Sequence, residues 1–321
     1  MNTNMNNTNN IHCKNLVDKY DVILLDAFGV LVNNFGAIPG AKEFLQLLHS
    51  KNKPYYILTN GASKLPSTMS KFFKSRGLDI NEEKIITSGS IIANYFKQNN
   101  LVAKNTIVLG TDDSNAYLKL AGANIVPITP PSTDHTTDFE SIIPNSFSWS
   151  DIEVLALCDE CGYPFLSYVD QVLSIIIQKI EHNQKIELIL ANPDLYYPKG
   201  LDNYGITTGV MAKIFENTIY ERYLNNPISS DIDIKNIPKF VNVGKPSSMI
   251  FEQAYQLSKT KNMLMIGDQL NTDILGANNF GIDSLFVGTG VGDIRPLLSS
   301  SLSSSHSQYP TPTYIKKDLL S

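Results

Sequence analysis

Short apolar runs alternate along this chain with longer segments in which apolar residues recur at the spacing of a helix face. A largely apolar run of a few residues is typical of a parallel strand buried on both faces of its sheet. Eight such runs are predicted to be strands, at residues 22–25, 55–58, 106–109, 153–157, 186–190, 240–243, 263–266 and 284–287. Predicted helices lie between them, at residues 41–50, 64–75, 91–97, 114–120, 169–181, 211–223, 247–258 and 273–279. This alternation predicts an α/β fold with a doubly wound parallel sheet.

The two ends of the chain have a different composition. The first ten residues are mostly Asn and Thr, and the C-terminal stretch contains serine triplets at 299–301 and 303–305, followed by Pro310 and Pro312. Such segments hold too few apolar residues to form a core. We expect residues 1–16 and 299–321 to be flexible tails.

Length and charge narrow the class of protein. A chain of 321 residues with 42% hydrophobic content suits one large or two modest domains. Its formal net charge of −5, with scattered cations, provides no basic stripe for a nucleic acid. No apolar run reaches the roughly 18 residues of a membrane span, and the first residues lack the apolar segment of a secretion signal. We expect a cytoplasmic protein with no nucleic-acid or membrane partner.

The three cysteines, Cys13, Cys158 and Cys161, are too few for a disulfide framework. Cys158 and Cys161 have metal-ligand spacing, but no second pair and no nearby His complete four ligands. We expect this pair to be structural or incidental.

Candidate chemistry lies where predicted strands end, since ligands of such sheets bind beyond the carboxyl ends of the strands. A carboxylate that attacks phosphorus needs a cation to neutralise charge and donors to hold the phosphate oxygens. Asp26 could attack, Thr59 and the amides after it could bind oxygens, and Lys245 could screen the charge. Asp268 could share Mg²⁺ with Asp26, because this ion prefers oxygen ligands.

Each of these residues also has an ordinary structural interpretation. Asp26 could be a turn residue or helix cap, and Thr59 with Asn60 could open a turn. Asp273 could be a first-turn acid on a helix, and Lys245 a solvated loop residue. The functional interpretation gains weight because all of them occur in one order, each after the pattern of a buried strand.

That order resembles the four motifs of the haloacid dehalogenase-like superfamily. The motif residues are Asp26-Ala27-Phe28-Gly29-Val30-Leu31, Leu58-Thr59-Asn60-Gly61, Gly244-Lys245-Pro246 and Gly267-Asp268-Gln269-Leu270-Asn271-Thr272-Asp273-Ile274. The long interval between the second and third motifs contains Ala191-Asn192-Pro193-Asp194 and resembles class IIA, the NagD or nitrophenylphosphatase-like group. The resemblance implies a Rossmann-like core at residues 17–89 and 205–298, with an inserted α/β cap at residues 90–204.

The resemblance also implies roles for individual residues. Asp26 would form an aspartyl-phosphate, with Thr59 and Lys245 positioning and neutralising the phosphoryl group. The implied ligands of Mg²⁺ are Asp26, the carbonyl of Phe28, Asp268 and, through the water shell of the ion, Asp273. The implied substrate contacts are Asn60, Gly61, Asn192 and Asp194, although an Asn-Pro-Asp turn without substrate contact is an equally good interpretation of the last two.

The first motif departs from the pattern of the superfamily's phosphatases, which carry a second aspartate where this chain has Phe28. That aspartate protonates the leaving oxygen and then activates water, and such general acid–base catalysis is worth about 10²–10⁴-fold in rate. A phenyl ring can do neither. We therefore expect slow ester hydrolysis, substrates whose leaving groups need no proton, or another residue that supplies the acid.

Two alternatives stay open beside a Mg²⁺-dependent phosphatase that acts on a small phosphorylated metabolite. Asp-Ala-Phe-Gly also resembles the first motif of the metal-independent 2-haloacid dehalogenases. Those enzymes carry a small helical cap soon after this motif, whereas only 32 residues separate Asp26 from Thr59 here. The other alternative is a phosphate-binding pseudo-enzyme without turnover. Homo-oligomerisation through the cap is an expectation from the family.

Overall fold

The computed structural model describes residues 13–128, 143–200, 203–224, 237–292 and 310–321. Its strands are β1 (Val22–Leu25), β2 (Val32–Asn33), β3 (Gly36–Ala37), β4 (Tyr55–Thr59), β5 (Ile85–Thr87), β6 (Asn105–Leu109), β7 (Asn124–Ile125), β8 (Val154–Leu157), β9 (Glu187–Leu190), β10 (Tyr196–Gly200), β11 (Asn203–Ile206), β12 (Phe240–Asn242), β13 (Met263–Gly267), β14 (Asp283–Val287) and β15 (Tyr314–Lys316). Its helices are α1 (Cys13–Lys19), α2 (Ala41–Ser50), α3 (Pro66–Lys74), α4 (Ser88–Gln98), α5 (Asp112–Leu120), α6 (Phe165–Glu181), α7 (Thr208–Leu224), α8 (Ser248–Ser258) and α9 (Leu275–Phe280).

Two parallel sheets organise these elements. The first sheet has the strand order β15-β14-β13-β1-β4-β5, and the second has the order β12-β9-β8-β6-β7. The second sheet is built from strands that lie between β5 and β13 in the chain, so it is an insertion into the first. Two antiparallel hairpins, β2–β3 and β10–β11, lie outside both sheets.

Alternate residues of each central strand pack on opposite faces of their sheet. In β1, Ile23 and Leu25 join a core with α1, α2 and α3, whereas Val22 and Leu24 join a core with α4, α8 and α9. The second sheet shares this latter core on one face and packs against α6 and α7 on the other. The two sheets are therefore held together by one continuous apolar layer, which burial from water stabilises. Among the described helices, none combines the length and hydropathy needed to cross a bilayer.

The predicted fold class is confirmed, and each of the eight predicted strands is present within one residue of its predicted bounds. Several helices begin two to four residues earlier than predicted, because polar first-turn residues such as Ser88 and Thr208 interrupt the apolar periodicity. Strand β5 was not predicted. It is only three residues long, which is too short for its pattern to be distinguished from the start of the following helix.

The prediction of a C-terminal tail at 299–321 is wrong for the described part, residues 310–321. β15 is the edge strand of the first sheet, and Tyr314 and Leu319 are buried in its core. The prediction of an N-terminal tail at 1–16 is likewise wrong for residues 13–16, since Cys13 is buried in α1 and its amide donates to the Ser321 carbonyl at 3.1 Å. Composition did not indicate that these segments are ordered, because they are mostly polar and only their few apolar residues pack in the core. Residues 1–12 and 293–309 lie outside the described residues.

The predicted division of the chain at residue 204 does not follow the sheets. β12 pairs with β9, with Phe240 opposite Leu188, and Phe215 of α7 is buried in the core of the second sheet. The described residues from 208 to 242 therefore belong with the insertion, although they were predicted to open the second part of the core. Sequence could not show this, because an apolar run does not reveal which sheet it joins.

Leu319→Ala is expected to lower the free energy of unfolding by about 2–5 kcal/mol, the range for truncating a buried leucine. Leu319 is 2% exposed and packs in the same core as β1. Leu120→Ala is the matched control, because its side chain is 74% exposed and a loss of about 0.5 kcal/mol or less is expected. Denaturant unfolding measures both variants. Equal losses would contradict the packing of the C-terminal segment.

Candidate active site

Two neighbouring strands of the first sheet deliver carboxylates to the same edge. β1 and β13 are paired so that Leu25 lies opposite Ile266. Asp26 follows β1 directly, and Asp268 follows β13. The Asp26 amide extends the pairing by donating to the Ile266 carbonyl at 2.9 Å. Both acids therefore lie at the carboxyl edge of the sheet, where open α/β sheets bind ligands.

A buried lysine joins two acids at this edge. Lys245 Nζ lies 2.6 Å from Asp26 Oδ1 and 2.7 Å from Asp273 Oδ1, and it donates to the Leu58 carbonyl at 2.9 Å. These acceptors match the three protons of the ammonium group. All three charged residues are buried, so the attraction between them is screened far less than at the surface. The structure thus brings together the predicted first, third and fourth motifs.

Asn60 holds the backbone of Lys245 on both sides. Its Oδ1 accepts from the Lys245 amide at 2.7 Å, and its Nδ2 donates to the Lys245 carbonyl at 3.1 Å. Asn60 was predicted to bind substrate, and this positioning role was not predicted, because Asn before Gly is the ordinary signature of a turn. The side chain contacts the backbone of Lys245, and the contact of Asn60 with a phosphate stays a prediction.

Asp268 is covered by two loops that contain glycine. Its Oδ2 accepts from the Val291 amide at 2.8 Å, whereas its buried Oδ1 has no hydrogen-bond partner among the described residues. A Cβ at Gly29 would lie 2.5 Å from the Asp268 carboxylate, and Gly290 packs as closely from the other loop. The Thr289 hydroxyl joins the loops by donating to the Gly29 carbonyl at 2.6 Å. The loop after β14 was not predicted to join the site, although its Gly-x-Gly-x-Gly run is a detectable sign of close backbone approach.

Asp273 bonds to its own turn and to Lys245 at once. Its Oδ2 accepts from the Gln269 amide at 3.1 Å, at the start of the turn Leu270–Ile274, while its Oδ1 pairs with Lys245. The structural interpretation of Asp273 as a first-turn acid is therefore correct, and it is compatible with the functional one. The hydrogen bond from the Gln269 amide orients the Asp273 carboxylate toward Lys245 Nζ.

The ligand oxygens of Asp26, Asp268 and Asp273 lie within 4.8 Å of one another. Burial raises the pKa of Asp26, while the charge of Lys245 opposes the rise and that of Asp273 adds to it. Burial also raises the pKa of Asp268, with repulsion from Asp26 and Asp273 adding to the rise. Burial alone would lower the pKa of Lys245, but the two carboxylates outweigh it and raise that pKa. Three carboxylates face one ammonium, so a bound cation would relieve their repulsion.

Thr59 and Phe28 both follow Asp26 in the chain, at the ends of the neighbouring strands β4 and β1. Thr59 ends β4 and is buried, and its hydroxyl accepts from the Gly61 amide at 3.2 Å. Phe28 lies in the loop after β1, is 40% exposed, and packs its ring 5.9 Å from that of Phe72 in α3. A hydrophobic contact therefore occupies the place of the expected acid. The metal contact of the Phe28 carbonyl stays a prediction.

Asn192 and Asp194 follow β9, the neighbour of β12 in the second sheet. Their turn lies against the segment that carries Lys245, since a Cβ at Gly244 would lie 2.5 Å from the Ala191 carbonyl. The Asp194 amide donates to Asn192 Oδ1 at 2.9 Å, which fixes the turn. The structure therefore places this predicted pair at the edge that bears Lys245.

The cysteine pair differs in burial. Cys158 is buried in the layer between the sheets, and burial raises the pKa of its thiol to about 12, so it stays protonated near neutral pH. Cys161 is exposed, and its Sγ lies within 4.8 Å of ligand oxygens of Asp159 and Glu160. The packing of Cys158 agrees with the structural interpretation of this segment.

Two family models match the chain, one over its first part up to and including β6 of the inserted sheet, and one from the end of β12 onward. One, described as haloacid dehalogenase-like hydrolase, matches residues 23–124, and the other, described as HAD-hydrolase-like, matches residues 242–320. Together they contain Asp26, Thr59, Lys245 and Asp268. The chain belongs to the haloacid dehalogenase-like hydrolases. Because its inserted α/β unit lies between the second and third motifs, it falls in class IIA, the NagD or nitrophenylphosphatase-like group.

Individual proteins are similar over nearly the whole chain. An acid sugar phosphatase of Staphylococcus aureus (strain USA300) is 25% identical over 307 residues, which cover 94% of this chain and 96% of the relative. A possible sugar phosphatase of the HAD superfamily from Cytophaga hutchinsonii has a TM-score of 0.76 at 28% identity, covering 97% of this chain and 98% of its own. A glycerol phosphate phosphatase from Mycobacterium tuberculosis in complex with magnesium has a TM-score of 0.66 at 20% identity, covering 95% and 76%, and shows the fold alone.

Lys245→Met is expected to lower the free energy of unfolding by about 3–5 kcal/mol, because it leaves Asp26 and Asp273 buried without their cation. Lys51→Met is the matched control: this lysine pairs with Asp18 at 2.6 Å on the surface, where such pairs contribute about 1 kcal/mol or less. Urea unfolding in EDTA compares both variants with the wild type. A Lys245→Met loss as small as that of the control would refute the central role of this ion pair.

Proposed function

We propose that the protein is a Mg²⁺-dependent phosphatase that transfers the phosphoryl group of a small phosphorylated metabolite to Asp26 and then to water. This proposal is carried by the contact of Lys245 Nζ with Asp26, next to Asp268 Oδ1, which has no hydrogen-bond partner among the residues described by the structure. The phosphatase names of the similar proteins support it. The sugar phosphatase among them supports a small phosphorylated metabolite as the substrate class.

Asp26 would attack phosphorus and form an aspartyl-phosphate. A carboxylate and a phosphate dianion repel each other, and the ammonium of Lys245 would reduce that repulsion from its position 2.6 Å away. Thr59 and the amides of Asn60 and Gly61, at the end of the neighbouring strand β4, would hold the phosphoryl oxygens. Water would then attack phosphorus, release phosphate and restore the Asp26 carboxylate.

The residues around Asp268 fit Mg²⁺. Carboxylate oxygens are the hard donors that this ion prefers, and the buried Oδ1 of Asp268 lacks a partner within the described residues. Asp26, Asp268 and the carbonyl of Phe28 would hold the ion, with Asp273 supporting its water shell. When bound there, Mg²⁺ would offset negative charge on the phosphoryl oxygens.

The inserted unit would act as a cap. Its second sheet presents Asn192 and Asp194 beside the segment of Lys245, so a substrate bound to Lys245 would also meet this edge. A cap of this kind excludes water from the reacting groups and selects substrates by the shape of its loops.

Asp26→Asn is expected to lower the hydrolysis of p-nitrophenyl phosphate by roughly 10⁴-fold or more, since no other group would accept the phosphoryl. EDTA is expected to suppress wild-type activity, and added Mg²⁺ to restore it. Asp18→Asn, an exposed carboxylate paired with Lys51, serves as the control and should keep full activity. Activity that survives both Asp26→Asn and EDTA would rule out this mechanism.

The same assay separates the alternatives. Chloride release from 2-chloropropionate in EDTA would favour a dehalogenase. Binding of inorganic phosphate without turnover of p-nitrophenyl phosphate or acetyl phosphate would favour a pseudo-enzyme. The position of the insertion argues against the dehalogenase, because the described chain between Asp26 and Thr59 holds only the β2–β3 hairpin and α2 before β4.

Mg²⁺ is expected to raise the Tm of the wild-type protein, because an ion that binds only the folded state stabilises it by about 2.7 kcal/mol at a concentration of 100 times Kd. Asp268→Asn should lose most of this shift, whereas Asp18→Asn should keep it. Thermal unfolding of EDTA-dialysed protein across a Mg²⁺ series measures the effect without reference to turnover. A full shift in Asp268→Asn would show that Mg²⁺ binds elsewhere.

A further inference from the structure

One carboxylate beside the site takes no part in the proposed attack by Asp26 or in the proposed hydrolysis of the aspartyl-phosphate. Asp194 Oδ1 is buried and has no hydrogen-bond partner among the residues that the structure describes. Burial raises the pKa of Asp194 to about 6. The positive charge of Lys245 and a hydrogen bond with the Asn60 side chain oppose this rise, and the negative charge of Asp273 adds to it. The charges of the site therefore act on this carboxyl group. Near neutral pH, a group with such a pKa can both give and accept a proton.

The backbone of Asp194 is fixed from several directions. Its amide donates to Asn192 Oδ1 at 2.9 Å, and its carbonyl accepts from the Thr207 hydroxyl. Gly209, at the start of α7, packs against the same carbonyl so closely that no Cβ would fit. A rigid support of this kind holds a side chain within the small tolerance that catalysis needs.

Asp194 reaches the site from the sheet that does not carry the nucleophile. It follows β9 of the second sheet, whereas Asp26 follows β1 of the first. In phosphoryl transfer the attacking and leaving oxygens lie roughly in line, on opposite sides of phosphorus. An acid that serves the leaving oxygen must therefore face the nucleophile across the phosphoryl group. The second sheet brings Asp194 to the segment of Lys245, whose Nζ contacts Asp26, from outside the sheet that carries the nucleophile.

We propose that Asp194 is the general acid and base of this enzyme and supplies the chemistry that Phe28 cannot. The inference rests on the proposed phosphatase function. As Asp26 attacks, the bond from phosphorus to the leaving oxygen breaks, and the carboxyl proton of Asp194 moves to that oxygen to give an alcohol. The Asp194 carboxylate then takes a proton from water as the water oxygen attacks phosphorus. The bond from phosphorus to Asp26 breaks, phosphate leaves, and both aspartates return to their starting states.

Asp194→Asn tests the first proton transfer with two substrates of similar shape. Phenyl phosphate needs a proton on its leaving oxygen, whereas p-nitrophenyl phosphate releases a much weaker base. Phenol release in a single turnover should fall by about 10²-fold or more, and p-nitrophenol release should stay within about threefold. Asp112→Asn is the control, because this exposed carboxylate follows β6 at the same edge of the second sheet and should change neither rate.

Phe28→Asp in the Asp194→Asn background tests whether Asp194 supplies the acid–base catalysis that Phe28 cannot. A carboxylate at position 28 should recover phenol release at least about tenfold, and Asp194→Glu should retain the acid if the asparagine variant folds poorly. Equal losses on both substrates, or no recovery by Phe28→Asp, would assign Asp194 a structural role and overturn the inference. If the wild-type protein turns over neither substrate, the phosphatase function itself fails. If the wild-type protein hydrolyses these substrates, and hydrolysis requires Asp26 but not Asp194, only this inference fails.

Discussion

The site depends on one buried ammonium group. Lys245 contacts Asp26 and Asp273 with the same nitrogen, and these partners come from the end of β1 and from the turn after β13. Burial and mutual repulsion both oppose ionisation of the acids, so they can be charged together only with a cation between or beside them. The Asn60 side chain holds the backbone of Lys245, and the Leu58 carbonyl accepts the third hydrogen bond of the ammonium group. The segments that follow β1, β4 and β13 are thus all held in place by contacts with Lys245.

The fold and the acidic cluster follow from local sequence because both rest on short-range patterns. A strand buried on both faces is a continuous apolar run, and a polar residue at its end lies at the edge of the sheet. Asp26, Thr59 and Asp268 could be found in this way, and Lys245 was found by the same pattern although it follows a strand of the other sheet. The register between strands then brings the side chains together.

What could not be predicted depends on contacts between distant segments. No pattern in residues 240–242 indicates that they pair with β9, and none in 314–316 indicates that they pair with β14. The double hydrogen bond from Asn60 to Lys245 joins residues 185 positions apart. The lack of a hydrogen-bond partner for Asp194 Oδ1 and Asp268 Oδ1 within the described part of the chain is also a property of the folded protein. Each of these features depends on which residues are neighbours in the folded structure, and the local sequence does not indicate those neighbours.

The pairing of β12 with β9 limits how this molecule can be divided. The strand that leads to Lys245 is the edge strand of the inserted sheet, so the insertion and the candidate active site share a structural element. A chimera that exchanged the insertion at residue 204 would separate α7 and β12 from the sheet that they complete. Junctions outside β6 and β12 would keep the sheet whole, but they would also transfer the support of Lys245 from one parent to the other. In such recombined proteins, the proposed selection of substrates by the insertion and the placement of the lysine would be inherited together.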